Sequence, residues 1–281
     1  MNTQTLSTSL PLVAADTGRT PNKALARAGE IAARFSLGLL APLAILALWQ
    51  LASAYEWIPV QILPSPRQTW ETFLDLAARG ELGEHLSISL ARVSWSVLAG
   101  GSIGLALGFA IGLSARAKAY LHPSFEVFAQ FPVIGWIPLL MLFLGIDEAL
   151  KIVAISFAVV VPVTVNTYKG ILAIARDLLE VGRVYAFTSR QTLLRVVIPS
   201  ALPSIFSGIR QGIMQAWLAL IFVELLASSE GLGYLMTWAR QVMQLDIVFA
   251  LILVVGLVGF VLDWVLQKTE NHFLAWNPKG L

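Results

Sequence analysis

Six apolar stretches of membrane-spanning length set the terms for this chain, running from Ser36 to Ala54, Ile88 to Leu113, Phe125 to Gly145, Ala149 to Tyr168, Ile205 to Ser228 and Ile247 to Gln267. A helix needs about 20 mostly apolar residues to cross a ~30 Å hydrocarbon layer, where no water can satisfy backbone polar groups. The pattern predicts an all-α, polytopic membrane protein with six transmembrane helices. Composition agrees, with 57% hydrophobic and 13% charged residues against roughly 45–50% and about 25% in a soluble domain. The absence of cysteine excludes a disulfide scaffold.

The scarce charge orients the spans. With the amino terminus inside, thirteen basic residues fall in inside segments and four in outside ones, Arg67, Arg79, Lys151 and Arg240. The positive-inside rule then places both termini in the cytoplasm. Residues 1–35 read as a cytoplasmic tail without a cleavable signal pattern, 36–267 as the transmembrane domain, and 268–281 as a second cytoplasmic tail.

Between the first two spans, Ser65 to Ala78 opens with Ser-Pro and spaces Trp70, Phe73 and Leu74 helically, which predicts an amphipathic helix on the outer surface. Gly100, Gly104, Gly108 and Gly112 stack along one face of the second span, as a close packing seam or as the lining of a substrate path. Pro132, Pro138 and Pro162 each remove a backbone donor within a span and can kink it.

Several chemistries are missing. No G-x-x-x-x-G-K-[ST] loop cradles a nucleotide, so the chain is not by itself an ATPase of that class and no cofactor is expected on it. His85, His122 and His272 lack metal-ligand spacing and read as interfacial residues. Ionisable groups within spans are few. Arg92 and Arg210 lie near helix ends, from which they can snorkel, and Asp263 lies close to Lys268. Glu224 falls about one turn from the outer end of the fifth span, as a partly solvated helix-end carboxylate or a pore-facing gating group. A stand-alone secondary transporter would need internal repeats or more buried ionisable residues.

The inside segment from Lys169 to Ser204 is long for a connector. Apolar Leu178, Leu179, Val184, Tyr185 and Phe187, then Leu193, Leu194 and Val197, interleave with five charged residues and Arg195 in two short amphipathic helices. The break is expected near Phe187-Thr188-Ser189, with Ser189 capping the second piece, and Ile198 to Pro203 ends that piece before the fifth span. Such a pair either packs back on its own bundle or enters a partner's groove.

At these residues the sequence resembles the membrane subunits of ATP-binding-cassette importers. Their loop pattern is Glu-Ala-Ala, three residues, Gly, nine residues, then Ile-x-Leu-Pro; here the matching positions read Glu180-Val181-Gly182, Ala186, Val196, Ile198 and Pro199. Ile62 to Pro66, Gly145-Ile146-Asp147-Glu148 with Lys151, Gly208-Ile209-Arg210, Glu224, Gly231 to Leu235 and Trp276-Asn277-Pro278 resemble the aliphatic-sulfonate, taurine and nitrate branch. The resemblance implies a type I importer permease fold with a coupling helix, and a homodimer or a pair with a close relative. It also implies two ATPase subunits and a periplasmic or extracellular binding protein. Glu180, Gly182, Ala186, Phe187, Thr188 and Pro199 are then the ATPase-coupling positions. The pathway is expected near Phe131, Trp136, Gln215, Trp217 and Glu224, with Ser156 and Asn166 as further polar donors, for a small anion, most specifically an aliphatic sulfonate.

Overall fold

A computed structural model describes residues 23–274 and, in the first helix, side chains from residue 40 onward. Most of the expected amino-terminal tail and the Trp276-Asn277-Pro278 motif lie outside the described residues. The contacts divide the chain into two units, residues 1–55 and 56–281. The first contains α1 (Lys23–Ala54), which carries the first predicted span and starts ahead of it.

In the second unit, α2 (Pro66–Ala78) follows an N-cap at Ser65, whose hydroxyl accepts from the Gln68 N–H. It buries Thr69 and Leu76, while Trp70 and Leu74 stay exposed. On its outer face a hydrogen bond to Glu71 raises the Arg67 pKa above its usual value, within an exposed pair of little energetic weight. Then come α3 (Glu81–Leu113), α4 (Ala115–Ala129), α5 (Val133–Leu144) and α6 (Glu148–Leu172). After α7 (Arg176–Val184) and α8 (Ser189–Thr192), a π-helical turn over Leu193–Val197 leads into α9 (Ile198–Ala227). α10 (Leu232–Gln241) and α11 (Leu245–Phe273) complete the unit.

Among the described residues, four helical runs are long and apolar enough to cross a membrane: α3, α6, α11, and α8 with α9 as one run over Ser189–Ala227; the apolar part of α1, Leu40–Ala54, is shorter. The third predicted span is broken. α4 and α5 meet at 97°, with Pro132 as the N-cap of α5, because extended backbone at the proline ends one helix before the next begins. Pro138 and Pro162 are accommodated inside α5 and α6. The prolines at 199 and 203 do not end a helix either. Pro199 sits in the first turn of α9, where its missing donor costs little, and Pro203 is carried inside the helix.

α3, α6 and α9 form the frame. A Cβ added at Gly100, Gly104, Gly108 or Gly112 would lie 2.5–2.9 Å from atoms of α6, so the glycine stripe is the contact at which α3 and α6 meet. The Thr164 hydroxyl donates across this seam to the Gly104 carbonyl. Gly208 and Gly212 of α9 meet the other side of α6 at Asn166, Pro162, Val163 and Val159. α6 is accordingly buried along most of its length.

Candidate functional site

Three places hold the residues that chemistry would use. The first is the connector between α6 and α9. α7 turns one apolar side inward, where Leu179 packs with Ile174, Leu193 and a small core of Ile171, Val197, Ala201 and Ile205. Its other side leaves Leu178, Val181, Val184 and Tyr185 exposed. α7 therefore packs back on its own bundle with one face and leaves the other exposed.

The α7 end is a tight turn. The Phe187 N–H donates to the Gly182 carbonyl at 2.9 Å and the Ala186 N–H to that of Arg183 at 3.0 Å, with Ala186 at φ 51°. This is a Schellman turn, whose left-handed position normally favours glycine. The importer pattern has glycine there, and in this chain the turn forms with alanine. Thr188, not Ser189, caps α8; its hydroxyl accepts from the Gln191 N–H, and the Gln191 side chain accepts from the Thr188 N–H. The aromatic edge of the turn stacks under the Arg195 guanidinium, 5.7 Å above the Phe187 ring. Glu180, Ala186 and Thr188 are exposed, Phe187 and Pro199 half-buried, and Gly182 buried under Phe187.

The second place is a cavity of about 550 Å³ bounded by the α4–α5 elbow, α6 and α9. Phe131, Trp136 and Gln215 line it together with Phe128, Phe157, Pro162, Asn166 and Gln211. The rings of Phe128, Phe131, Trp136 and Phe157 pack against one another at centroid distances of 5.3–5.8 Å. Asn166 donates to the Pro162 carbonyl at 2.8 Å and to Gln211 at 3.1 Å. Trp217 and Glu224 do not line this cavity. Trp217 is buried and donates its indole N–H to the Val255 carbonyl of α11 at 3.2 Å. Ser156 is buried too, donating to the Ile152 and Ser96 carbonyls.

The third place is an ion cluster at the end of the frame opposite α7, buried except at Glu148, whose side chain is 55% exposed. Arg92 of α3 is 3% exposed. Its Nε and Nη2 donate to Glu148 of α6 at 2.8 and 2.6 Å, and its Nη1 to Glu224 of α9 at 2.7 Å and to the Glu230 carbonyl at 2.8 Å. Lys151, also 3% exposed, donates to Glu148 at 2.5 Å. Glu224 is 1% exposed and also accepts from the Ser89 hydroxyl at 2.9 Å and the Gly233 N–H at 2.9 Å. Each buried charge thus meets an opposite one, as a low-dielectric site requires.

This arrangement corrects two expectations. Glu224 is not partly solvated and Arg92 does not snorkel. His85 lies beside the cluster, its Nδ1 accepting the Gly231 N–H at 3.0 Å. Gly231, at φ 100°, lets the backbone approach so closely that a Cβ would fall 2.3 Å from a Glu224 oxygen. Sequence reasoning missed the cluster as a unit. Its signal was present in charges at span ends lying in the Gly145-Ile146-Asp147-Glu148 and Gly231-Leu232-Gly233 motifs. Likewise Asp263 pairs with Arg210, which donates to it from two nitrogens at 2.8 and 2.9 Å, while Lys268 lies over the Trp264 ring. Among the described residues, no group of three or more metal-ligating side chains occurs.

Comparison with solved structures defines the class. The chain shares its fold with the MetNI methionine ABC transporter, with a TM-score of 0.50 and 16% identity over 66% of this chain and 95% of that one. A second likeness is to an amino acid ABC transporter solved with histidines, at TM-score 0.55 and 17% identity over 72% and 96%. The fold is that of type I ABC importer permeases.

Residues 100–272 match the family described as the inner membrane component of binding-protein-dependent transport systems, and the chain belongs to that family. It is 38% identical over 239 residues to the aliphatic sulfonates transport permease SsuC of Bacillus subtilis, covering 85% of this chain and 87% of that protein. SsuC of Escherichia coli is 39% identical over 241 residues, 84% and 90% of the two chains. The taurine permease TauC of E. coli is 30% identical over 247 residues, 86% and 89%. The protein is therefore a multi-pass membrane permease that works with ATPase and substrate-binding components.

Proposed function

We propose that two copies of this chain form the channel of an ATP-driven importer for aliphatic sulfonates in the bacterial inner membrane, with both termini in the cytoplasm. A heterodimer with a close relative would use the same geometry. The sulfonate assignment is supported by the two relatives of 38% and 39% identity that are named for that substrate; taurine, nitrate and bicarbonate are the competing solutes. ATP and Mg²⁺ belong, on this reading, to two separate ATPase subunits, and an external binding protein delivers the solute.

One observation carries the coupling role: α7 is anchored to the bundle by one apolar face and leaves the other, Leu178, Val181, Val184 and Tyr185, exposed. An exposed apolar stripe on a helix end facing the cytoplasm suits a groove in the ATPase. Glu180, Ala186, Phe187 and Thr188 would sit in or beside that groove, with Gly182 and Pro199 shaping the elbow that presents them. The solute would pass along the cavity at Phe131, Trp136 and Gln215. Trp217 and Glu224 serve in this proposal as supports of the wall, through α11 and through the ion cluster.

The test is reconstitution with the neighbouring ATPase and binding protein. Replacing Glu180 or deleting Phe187 to Ser189 is expected to abolish coupled ATP hydrolysis while leaving membrane insertion intact. Unimpaired uptake in either variant, or the absence of any co-purifying ATPase, would refute the assignment.

A further inference from the structure

The cavity at the α4–α5 elbow carries an anion importer's chemistry in an unexpected form, because no charged side chain among the described residues lines it. Its polar groups are three carboxamides, the indole N–H of Trp136 and backbone. Asn166 is occupied with the Pro162 carbonyl and with Gln211. That leaves the amide nitrogen of Gln211, and Gln215 one turn further along α9, as donors without a hydrogen-bonded partner among the described residues. The opposite wall is the cluster of Phe128, Trp136 and Phe157 rings.

From this composition we infer that the cavity is a specificity element for sulfonates with an apolar substituent, in which Gln215 and Gln211 donate to the sulfonate oxygens and the ring wall, centred on Trp136, receives the tail. The inference rests on the reading of this cavity as the solute path. A volume of about 550 Å³ falls within the range of sites that hold small organic ligands. An anion entering here loses water and gains two neutral donors in return, which is incomplete compensation for a charge. An alkyl tail supplies the remainder by leaving water for the aromatic wall, at about fourfold in affinity per buried methylene. Nitrate and bicarbonate have no tail with which to do this. Taurine has a short chain ending in an ammonium, and no carboxylate lines the cavity to receive it. The site therefore ranks alkanesulfonates above taurine and above inorganic anions, independently of the binding protein that delivers them. The lack of a cation also suits a conduit, since a bidentate arginine would hold the anion rather than pass it on.

Because the chain contains no cysteine, the ranking is readable by protection of a single thiol. Leu218→Cys places one in the cavity wall close to Gln215. The intact importer carrying it, in nanodiscs without binding protein, is treated with maleimide in the presence of methane-, butane- and hexanesulfonate, taurine or nitrate. The half-protecting concentration is expected to fall about fourfold per methylene until the wall is filled, with taurine and nitrate protecting at least tenfold more weakly than butanesulfonate. Gln215→Leu in the same background should raise the half-protecting concentration for every sulfonate by a common factor of about ten. Trp136→Leu should flatten the chain-length dependence instead. Protection by nitrate or taurine equal to that by butanesulfonate, or protection independent of tail length, overturns the inference. Uptake measured on the labelled protein separates this failure from that of the path itself: if modification at residue 218 leaves uptake intact, the cavity is not the path. If it blocks uptake without a tail dependence, only the specificity claim falls.

Discussion

The α3–α6–α9 frame and the α7–α8 connector face the same problem, apolar helix faces that must be covered, and meet it in opposite ways. The frame covers them internally: glycines at 100, 104, 108, 208 and 212 bring backbones into contact, and the four charges of Arg92, Glu148, Lys151 and Glu224 neutralise one another at one end. The connector covers only one face of α7 and leaves the other exposed. On the proposed coupling role the chain needs both, a body that does not deform and a handle that a partner completes. The difference predicts that mutations in the frame act on folding and those in the connector act on coupling.

The largest effect should come from unpairing the cluster. Arg92→Met leaves Glu224, 1% exposed, without its cation and is expected to cost about 3–5 kcal/mol, read as lost monodisperse protein in detergent. The double variant Arg92→Met with Glu224→Leu should recover part of that loss. A single variant as stable as the parent would mean that the pair does not hold the frame.

Next is overpacking of the glycine stripe. Gly108→Val drives a side chain into Thr167, whose Cβ lies 2.5 Å from the position of an added Cβ, at a cost of about 1–3 kcal/mol. Gly101→Ala on the same helix meets nothing within 4 Å and should stay within about 0.5 kcal/mol of the parent in thermal unfolding. Equal effects at the two positions would remove the seam.

In the connector the expected sign of separation reverses. Val184→Ser or Tyr185→Ser changes a residue that is 83% or 71% exposed and should leave thermal stability within about 0.5 kcal/mol while lowering ATP-coupled uptake severalfold. The smallest effect belongs to the turn itself. Ala186→Gly relieves a left-handed alanine and should stabilise the α7 end by about 1 kcal/mol, seen as slower hydrogen exchange at Phe187 with coupling retained.

The legibility of these two regions from sequence differed for a physical reason. Span positions follow from local composition, so α3, α6, α9 and α11 were readable, as was the Ser65 cap of α2. The amphipathic α7 was readable in the same way, although the cap of α8 moved by one residue, because Thr188 and Gln191 form a reciprocal capping box that Ser189 cannot. Proline positions gave the existence of kinks but not their size. Pro132 produces a 97° break while Pro138 and Pro162 stay within continuous helices, since the outcome depends on what the freed carbonyls find around them. The ion cluster was the least legible. Glu148 and Glu224 lie 56 and 132 residues from Arg92, and only the glycine-tight packing of α3 and α9 on α6 brings them together. Read singly, each looked like a residue at liberty to reach solvent.

The central claim, that the open face of α7 is completed by an ATPase subunit, has a direct test in the cysteine-free chain. A single Val184→Cys substitution, in importer assembled with an ATPase bearing one thiol in its exposed groove, should form a cross-link on oxidation that blocks ATP-driven uptake and is reversed by reductant. If the thiol introduced at position 184 forms no cross-link to any ATPase subunit, and uptake proceeds unchanged after its modification by a bulky maleimide, the account is contradicted.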